Sequence, residues 1–305
     1  MRVLVTGASG HVGSAMVPEL LSAGHRVLGL ARSEAAEATL KAAGAEVVRG
    51  DLGDLEGLGR AAASSDGVIH LAYRHDLAFG PHPDGFAEAA RIDLAVSKAL
   101  GEALKGTGKP LVTTSGTAIL ALHGEGRVTT EADTLPQGPR VDAENWVVGL
   151  GAQGVRSSVV RLAPSVHSTL DHHGFLAMVV ALARKNGFAA YVGAGDNVWN
   201  AVHTRDAARL YRLALESGPA GHRWHAAAEQ AVPFRSIAQT IGDRLGIPVR
   251  SLTQDEAPGY FGPFLRFALM NCPASSETTR RLLGWKPEHP TLLEDLAGPH
   301  YFTQR

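Results

Sequence analysis

The run Thr6-Gly7-Ala8-Ser9-Gly10-His11-Val12-Gly13, directly behind Val3-Leu4-Val5, constrains this chain more than any other feature. Three consecutive apolar residues read as a short strand buried on both faces, as in a parallel sheet. His11–Leu21 then reads as a helix. Glycines at the junction let the backbone turn sharply and leave no Cβ in the way of a phosphate. The anion would sit at the helix N-terminus, where free N–H groups and the helix dipole favour it. The spacing Gly7-x-x-Gly10-x-x-Gly13 departs from the G-x-G-x-x-G dinucleotide fingerprint by one residue in its first half. Its place between the first strand and the first helix makes dinucleotide binding the expectation, with a tight turn that holds nothing as the alternative.

Strands and helices alternate from there, which points to right-handed βαβ units around a parallel sheet. Strands are expected near Arg2–Thr6, Arg26–Ala31, Glu46–Arg49, Gly67–Leu71, Pro110–Ser115 and Ser157–Leu162. Helices are expected near His11–Ala23, Glu34–Ala43, Leu55–Ala63, Phe86–Lys105 and Val141–Ala152, with Gly24 and Gly44 placed as C-terminal caps. Asp93 and Lys98 read as solvated-face residues of the fourth helix. Beyond Leu162 the pattern loosens: helices are expected near His172–Lys185, Arg205–Ser217, Phe234–Leu245 and Glu277–Leu283, and the stretches between are rich in Gly, Pro and His. Asp171 reads as an N-cap for the helix that follows it. No clean linker or repeat divides the chain.

Several junctions carry further signatures. Asp51-Leu52 follows the third strand, His70-Leu71-Ala72 closes the fourth, Thr113-Thr114-Ser115 the fifth and Val159–Pro164 the sixth. Val202-His203-Thr204-Arg205-Asp206-Ala207-Ala208 and Leu283-Gly284-Trp285-Lys286-Pro287 come later. In this order the signatures resemble the short-chain dehydrogenase/reductase superfamily in its extended, epimerase/dehydratase-like form, over nearly the whole chain. The resemblance implies an α/β fold: a Rossmann-type doubly wound parallel sheet with a small, interleaved C-terminal substrate lobe. Residues 1–165 would be the cofactor-binding core, receiving segments near 187–225, and residues 166–305 mainly the lobe. It also implies that Asp51 meets the adenine amino group and Leu52 the adenine face. Leu71, Ala72, Tyr73, Thr114, Arg140 and Pro164 would line the rest of the cofactor beside Gly7, Ser9, Gly10, His11, Val12 and Gly13. A homodimer through the fourth and fifth helices is the superfamily habit.

The second strand ends in Arg32-Ser33, and no acid stands between Arg26 and Ser33. An Asp or Glu there would accept from the ribose hydroxyls of NAD, whereas an arginine accommodates the 2′-phosphate of NADP. Arg32 offers a planar fork of donors and Ser33 a hydroxyl, so NADP(H) is the expected cofactor. The alternative is that Arg32 is only a surface residue.

Ser115 falls just past the fifth strand, where doubly wound folds place their ligands. The family's catalytic serine occupies this place; capping the strand end is the alternative role. The family's Tyr-x-x-x-Lys should follow, but no tyrosine lies between Tyr73 and Tyr191. Arg140 falls at the lysine position. It could bind ribose or phosphate, yet guanidinium is effectively never deprotonated and cannot be the acid. Proton delivery falls to water or to Tyr73, His75 or His167 on the strand-end side. The candidate catalytic set is Ser115, Tyr73, His167 and Arg140.

A net charge of −1 gives no electrostatic reason to expect nucleic acid or an anionic membrane surface as partner. No apolar stretch approaches the ~18–20 residues of a membrane span. Cys272 is the only cysteine, so no disulfide is expected within the chain, and no signal-peptide pattern is apparent at the first strand. A cytoplasmic protein is expected. Among the 14 histidines no H-x-x-x-H or H-E-x-x-H spacing occurs, so no metal site is expected. These readings favour an NADP(H)-dependent reductase or dehydrogenase acting on a small-molecule carbonyl or related unsaturated carbon, with a non-standard proton donor. A non-catalytic NADP(H)-sensing regulator is the second reading, and a nucleotide-sugar epimerase or dehydratase the third.

Overall fold

The first three strands alternate in the side to which they send their apolar residues, and that alternation builds two cores. In β1 (Arg2–Thr6), Val3 and Val5 join one cluster and Leu4 the other. β2 (Arg26–Ala31) divides Val27 and Ala31 from Leu28 in the same way. A sheet with both faces apolar needs helices on both sides. The computed structural model describes residues 1–121 and 126–303.

The main sheet has seven parallel strands in the order β10-β6-β5-β4-β1-β2-β3, completed by β3 (Glu46–Arg49), β4 (Gly67–His70), β5 (Pro110–Gly116), β6 (Arg156–Leu162) and β10 (His222–Ala226). One face is covered by α1 (His11–Ser22), α2 (Glu34–Ala42) and α9 (Thr204–Ser217), with Met16, Leu20, Leu40, Leu210 and Tyr211 buried there. The other is covered by α3 (Leu55–Ala63), α5 (Gly85–Glu102) and α7 (Val141–Gly149), with Leu58, Val96, Leu100 and partly buried Trp146. The Rossmann-type expectation holds. The chain runs outward from β1 to β3 and returns to β4 on the other side of β1, so the crevice between the ends of β1 and β4 is the switch point where such sheets bind ligands.

The lobe is built from shorter pieces. β7 (Ser165–His167), β9 (Val198–His203) and β11 (Glu229–Pro233) form a three-stranded sheet, and β8 (Ala189–Val192) pairs with β12 (Val249–Leu252). Around them lie α8 (Phe175–Asn186), α10 (Phe234–Leu245), α11 (Ala257–Phe261), α12 (Leu265–Ala268) and α14 (Leu292–Leu296), over a core that includes Trp199, Phe234, Phe261 and Phe264. Two short helices, α4 (His75–Ala78) and α6 (Ala118–Ala121), follow strand ends of the main sheet, and α13 (Glu277–Leu283) packs on α9 and β10. Two local expectations need correction. Asp171 does not cap α8, whose N-cap is Gly174; its Oδ1 accepts from the Gly174 N–H at 2.7 Å and its Oδ2 from the Tyr301 hydroxyl at 3.0 Å. Helix α7 ends at Gly149 and tightens into a 3-10 turn, Leu150–Gln153. No helix of the described residues is long and apolar enough to cross a membrane.

At the switch point backbones touch. Gly7 has φ +69°, and a Cβ there would lie 2.8 Å from the Ala72 N. A Cβ on Gly13 would lie 2.6 Å from the Ala8 carbonyl, whereas one on Gly10 would meet only the Gly7 oxygen, at 3.2 Å. Gly13 is therefore required by the fold and Gly10 chiefly by what the fold leaves open. Gly13→Ala should lower unfolding free energy by ~1–3 kcal/mol, the usual cost of overpacking, and Gly10→Ala by well under ~1 kcal/mol. Urea denaturation of the two variants beside the parent decides it; equal losses would remove the distinction.

Candidate functional site

The N-terminus of α1 is left open for an anion. Its N-cap, Gly10, has no side chain to cap the first turn, and the first turn carries no acid. The His11 ring turns away, its Nε2 2.9 Å from Thr204 Oγ1 on α9, and burial lowers its pKa. The first-turn N–H groups thus face the space that a Cβ at Gly10 would enter. These residues fit a dinucleotide's pyrophosphate.

Along the edge, Arg32 is exposed at the end of β2, and among the described residues no hydrogen bond or ion pair engages it. Ser33 caps α2 by accepting from the Ala36 N–H at 3.2 Å, which leaves its own hydrogen free to donate. On α2, Glu37 is engaged by Lys41 at 2.7 Å and Arg49 at 3.3 Å. Asp51 Oδ1 accepts from the Gly53 N–H at 2.6 Å, and Leu52 beside it is half-buried. Leu71, Ala72 and Pro164 are half-buried at the strand ends, and Ser9 is exposed.

Between the ends of β4 and β5 a polar chain crosses the sheet. The Ala72 N–H donates to Thr6 Oγ1 at 3.3 Å, and Thr6 Oγ1 lies 2.6 Å from His70 Nδ1. The Asp93 carboxylate can only accept, which puts a His70 proton on Nε2, 3.2 Å from Asp93 Oδ1, and lets Nδ1 accept from the Thr6 hydroxyl. Asp93 is 5% exposed, and its Oδ2 lies 3.9 Å from Arg140 Nη2. This corrects the solvated-face reading of Asp93. The signal was in the sequence: Asp93 falls on the stripe Ala89, Ala90, Val96, Ser97, Leu100 that α5 turns to the core.

Arg140 is held in an uncommon conformation. At φ +66° it is the one non-glycine described residue with positive φ, standing at the N-cap of α7. Its Nη2 donates to the Thr114 carbonyl at 2.6 Å, and its Cζ lies 4.0 Å from the centre of the Tyr73 ring. Helix α7 is fixed behind it by Glu144, which pairs with the fully buried Arg161 of β6 and with Arg223 at 2.6 Å. Thr114 Oγ1 donates to the His70 carbonyl at 2.8 Å and so accepts from the Tyr211 hydroxyl at 2.7 Å.

Two hydroxyls at this edge stay unused. Tyr73 Oη and Ser115 Oγ are buried, and neither has a hydrogen-bond partner. Burial raises the Tyr73 pKa above its ordinary 10, while the Arg140 charge pulls it back. The edge of the Tyr73 ring meets His75 at 5.1 Å, and burial of that imidazole, then the Arg140 charge, lowers its pKa. The structure brings Tyr73, His75, Thr114, Asp93 and Arg140 together.

His167 stands apart. It is 1% exposed, its Nδ1 lies 3.0 Å from Asp295 Oδ2, and its carbonyl accepts from Thr204 Oγ1 at 3.1 Å. Register across β7 and β9 sets it opposite His203, whose pKa burial and the neighbouring His167 and His289 rings bring down to about 4. His203, Asp206 and His289 converge to within 4.8 Å, close enough to ligate a metal. The Asp206 carboxylate is already taken up, accepting from the Glu288 N–H at 3.0 Å, the His289 N–H at 3.1 Å and facing His289 Nδ1 at 2.9 Å.

A left-handed arginine costs about 1–2 kcal/mol of strain that glycine does not bear. Arg140→Gly should therefore be more stable than Arg140→Ala by about 1 kcal/mol, although both lose the guanidinium. Thermal melts that rank alanine above glycine would show that this backbone is unstrained.

Comparison with known proteins agrees with the geometry. The NAD dependent epimerase/dehydratase family matches residues 3–227. An uncharacterised protein of Schizosaccharomyces pombe is 45% identical over 304 residues, 99% of this chain and 100% of its own. A 3-diazoavenalumate denitrifying reductase of a Streptomyces species is 28% identical over 97% of this chain and 99% of its own. The structure of Thermus thermophilus UDP-glucose 4-epimerase with NAD aligns with a TM-score of 0.74 at 22% identity, covering 97% of each chain.

Proposed function

The chain belongs to the NAD dependent epimerase/dehydratase family, and from that premise we propose that it is an NADP(H)-dependent oxidoreductase that reduces a carbonyl, or a related unsaturated carbon, on a small molecule. One observation carries the reading: two buried hydroxyls without partners, Tyr73 Oη and Ser115 Oγ, at the strand-end edge that also holds the Arg140 charge. Buried polar groups are nearly always paired, so two orphans at a ligand edge mark donors kept for a ligand. An oxygen gaining negative charge is the acceptor they suit.

When bound, the nicotinamide supplies a hydride to carbon. The proton that completes the alcohol must come from the chain or from water. Tyr73 is the group suited to give it, since a phenol readily protonates an alkoxide. Arg140 steadies the phenolate left behind, and Ser115 holds the oxygen in place. Tyrosine and cation thus come from two separate places, the loop after β4 and the start of α7. The Streptomyces reductase, similar along its whole length, supports an oxidoreductase. Gly7, Ser9, Gly10, His11, Val12 and Gly13 would hold the pyrophosphate, Asp51 and Leu52 the adenine. The unengaged Arg32, with Ser33, would hold a 2′-phosphate.

NADPH should then bind more tightly than NADH by roughly tenfold to more than a hundredfold, the worth of ~1.5–3 kcal/mol in hydrogen bonds to a charged group. Arg32→Asp should narrow or reverse that preference in calorimetric titrations. Equal affinities in the parent protein would sink the 2′-phosphate assignment.

Tyr73→Phe should lower kcat by about 10²–10⁴, the worth of a general acid, with little change in NADPH affinity. The pH dependence separates the donors. A Tyr73 donor works while protonated, so the rate should stay level through the neutral range and fall only as pH rises through a phenol pKa above 10. A His75 donor would lose activity as pH rises through a value below 6.5. If NADPH binds and no carbonyl compound in a broad screen oxidises it, the sensing regulator replaces the enzyme.

A further inference from the structure

We propose that the substrate of this site is a flat, uncharged aromatic or conjugated carbonyl compound, not a nucleotide-linked sugar. The location rests on the reductase reading above; the class rests on a separate set of side chains. A row of rings leads outward from Tyr73. Its ring meets His75 edge-on at 5.1 Å, and His75 lies parallel to Phe79 at 5.9 Å with 12° between the planes. Phe79 in turn meets Phe175 at 5.9 Å and Phe267 at 5.7 Å, both edge-on. The row therefore runs from the core, in the loop after β4, to α8 and α12 of the lobe.

Its packing is unfinished. Phe79 is 47% exposed although three rings stand beside it, and Phe175 and Phe267 are only half-buried. A continuous apolar wall that starts at an unpaired phenol and stays open to solvent is the form of a ligand wall. Rings at these spacings and angles pack best on another ring, offset or edge-on.

Charge along the row excludes the rival. Away from a helix N-terminus such as that of α1, a diphosphate is held by cationic side chains. Arg140 is committed to the Thr114 carbonyl and the Tyr73 face. Arg74 is held in a two-pronged pair by Asp76, at 2.7 and 2.8 Å. Desolvation and the Arg140 charge lower the His75 pKa, which disfavours its charged form. Among the described residues of α4 and α12 that leaves Arg266, a single exposed charge on α12.

The test uses the full chain saturated with NADP⁺, so that binding is read without turnover. Calorimetric titration with 2-naphthamide should give a dissociation constant at least about tenfold lower than with cyclohexanecarboxamide. Phe79→Ala and Phe79→Leu should both weaken 2-naphthamide by about tenfold and leave cyclohexanecarboxamide nearly unchanged, because leucine keeps bulk without a ring. Equal binding of the two amides, or UDP-glucose binding more tightly than either and indifferent to Phe79, overturns the proposal. Reduction of 2-naphthaldehyde and cyclohexanecarbaldehyde by NADPH is measured alongside. Selective 2-naphthamide binding without reduction of either aldehyde upholds the substrate class and removes the reductase reading. Reduction of both aldehydes with no aromatic preference in binding does the reverse.

Discussion

Arg140 carries a permanent charge into a part of the protein with little water, and much of the site is arranged around that charge. A buried cation is tolerated only when acceptors and counter-charge compensate its lost hydration. Here the Thr114 carbonyl at 2.6 Å, the Tyr73 face at 4.0 Å and Asp93 at 3.9 Å share the task. Asp93 is in turn fixed by His70, and His70 by Thr6, the residue before the first cradle glycine. The phosphate cradle and the proposed reaction centre are thus joined by two hydrogen bonds, Thr6 to His70 and His70 to Asp93, and by the longer ion pair of Asp93 with Arg140.

The same small region collects the costs that a stable fold usually avoids. A left-handed arginine, an unpartnered buried phenol, an unpartnered buried serine and the partner-less Nε of Arg140 lie within a few residues of strand ends. Glycines close α1 and α2, Thr291 and Glu294 form a capping box on α14, and Arg161 is paired where it is buried. Among the described residues, buried polar atoms without hydrogen-bond partners also occur elsewhere, at Ser157, Ser158, Ser165, Trp224 and His300; what sets the proposed site apart is that they coincide there with a left-handed backbone and a half-buried charge.

The sequence made the first 162 residues legible because their periodicities are clean. Apolar runs bounded by glycine and acidic turns mark the strands, and β1, β2 and β3 begin and end where those patterns do. The lobe was only half legible. Its long helices carry a period of 3.6, but β7, β8, β9, β11 and β12 are three to six residues long, and their partners lie far along the chain. That is why His167 read as a free strand-end group, when its pairing with Asp295 depends on a helix some way beyond it. Asp93 is legible in principle, because its place on the apolar stripe of α5 outweighs its charge. The conformation of Arg140 was not readable, because nothing in a residue's neighbours announces a left-handed backbone imposed by tertiary contacts.

On the reading that Arg140 stands where the family has a lysine, the work of binding is redistributed. A lysine ammonium is a compact charge on a flexible stem, free to reach a ribose hydroxyl. The planar Arg140 guanidinium is flattened over Tyr73 and spends its shortest hydrogen bond on the protein's own backbone. The cation that steadies the phenol is therefore less available to hold a cofactor's nicotinamide half. On the proposed reading, affinity has to come from the other end of the dinucleotide: the open N-terminus of α1 and the unengaged Arg32. An enzyme arranged this way depends on the 2′-phosphate for more than discrimination, because that contact replaces grip given up beside the reacting carbon.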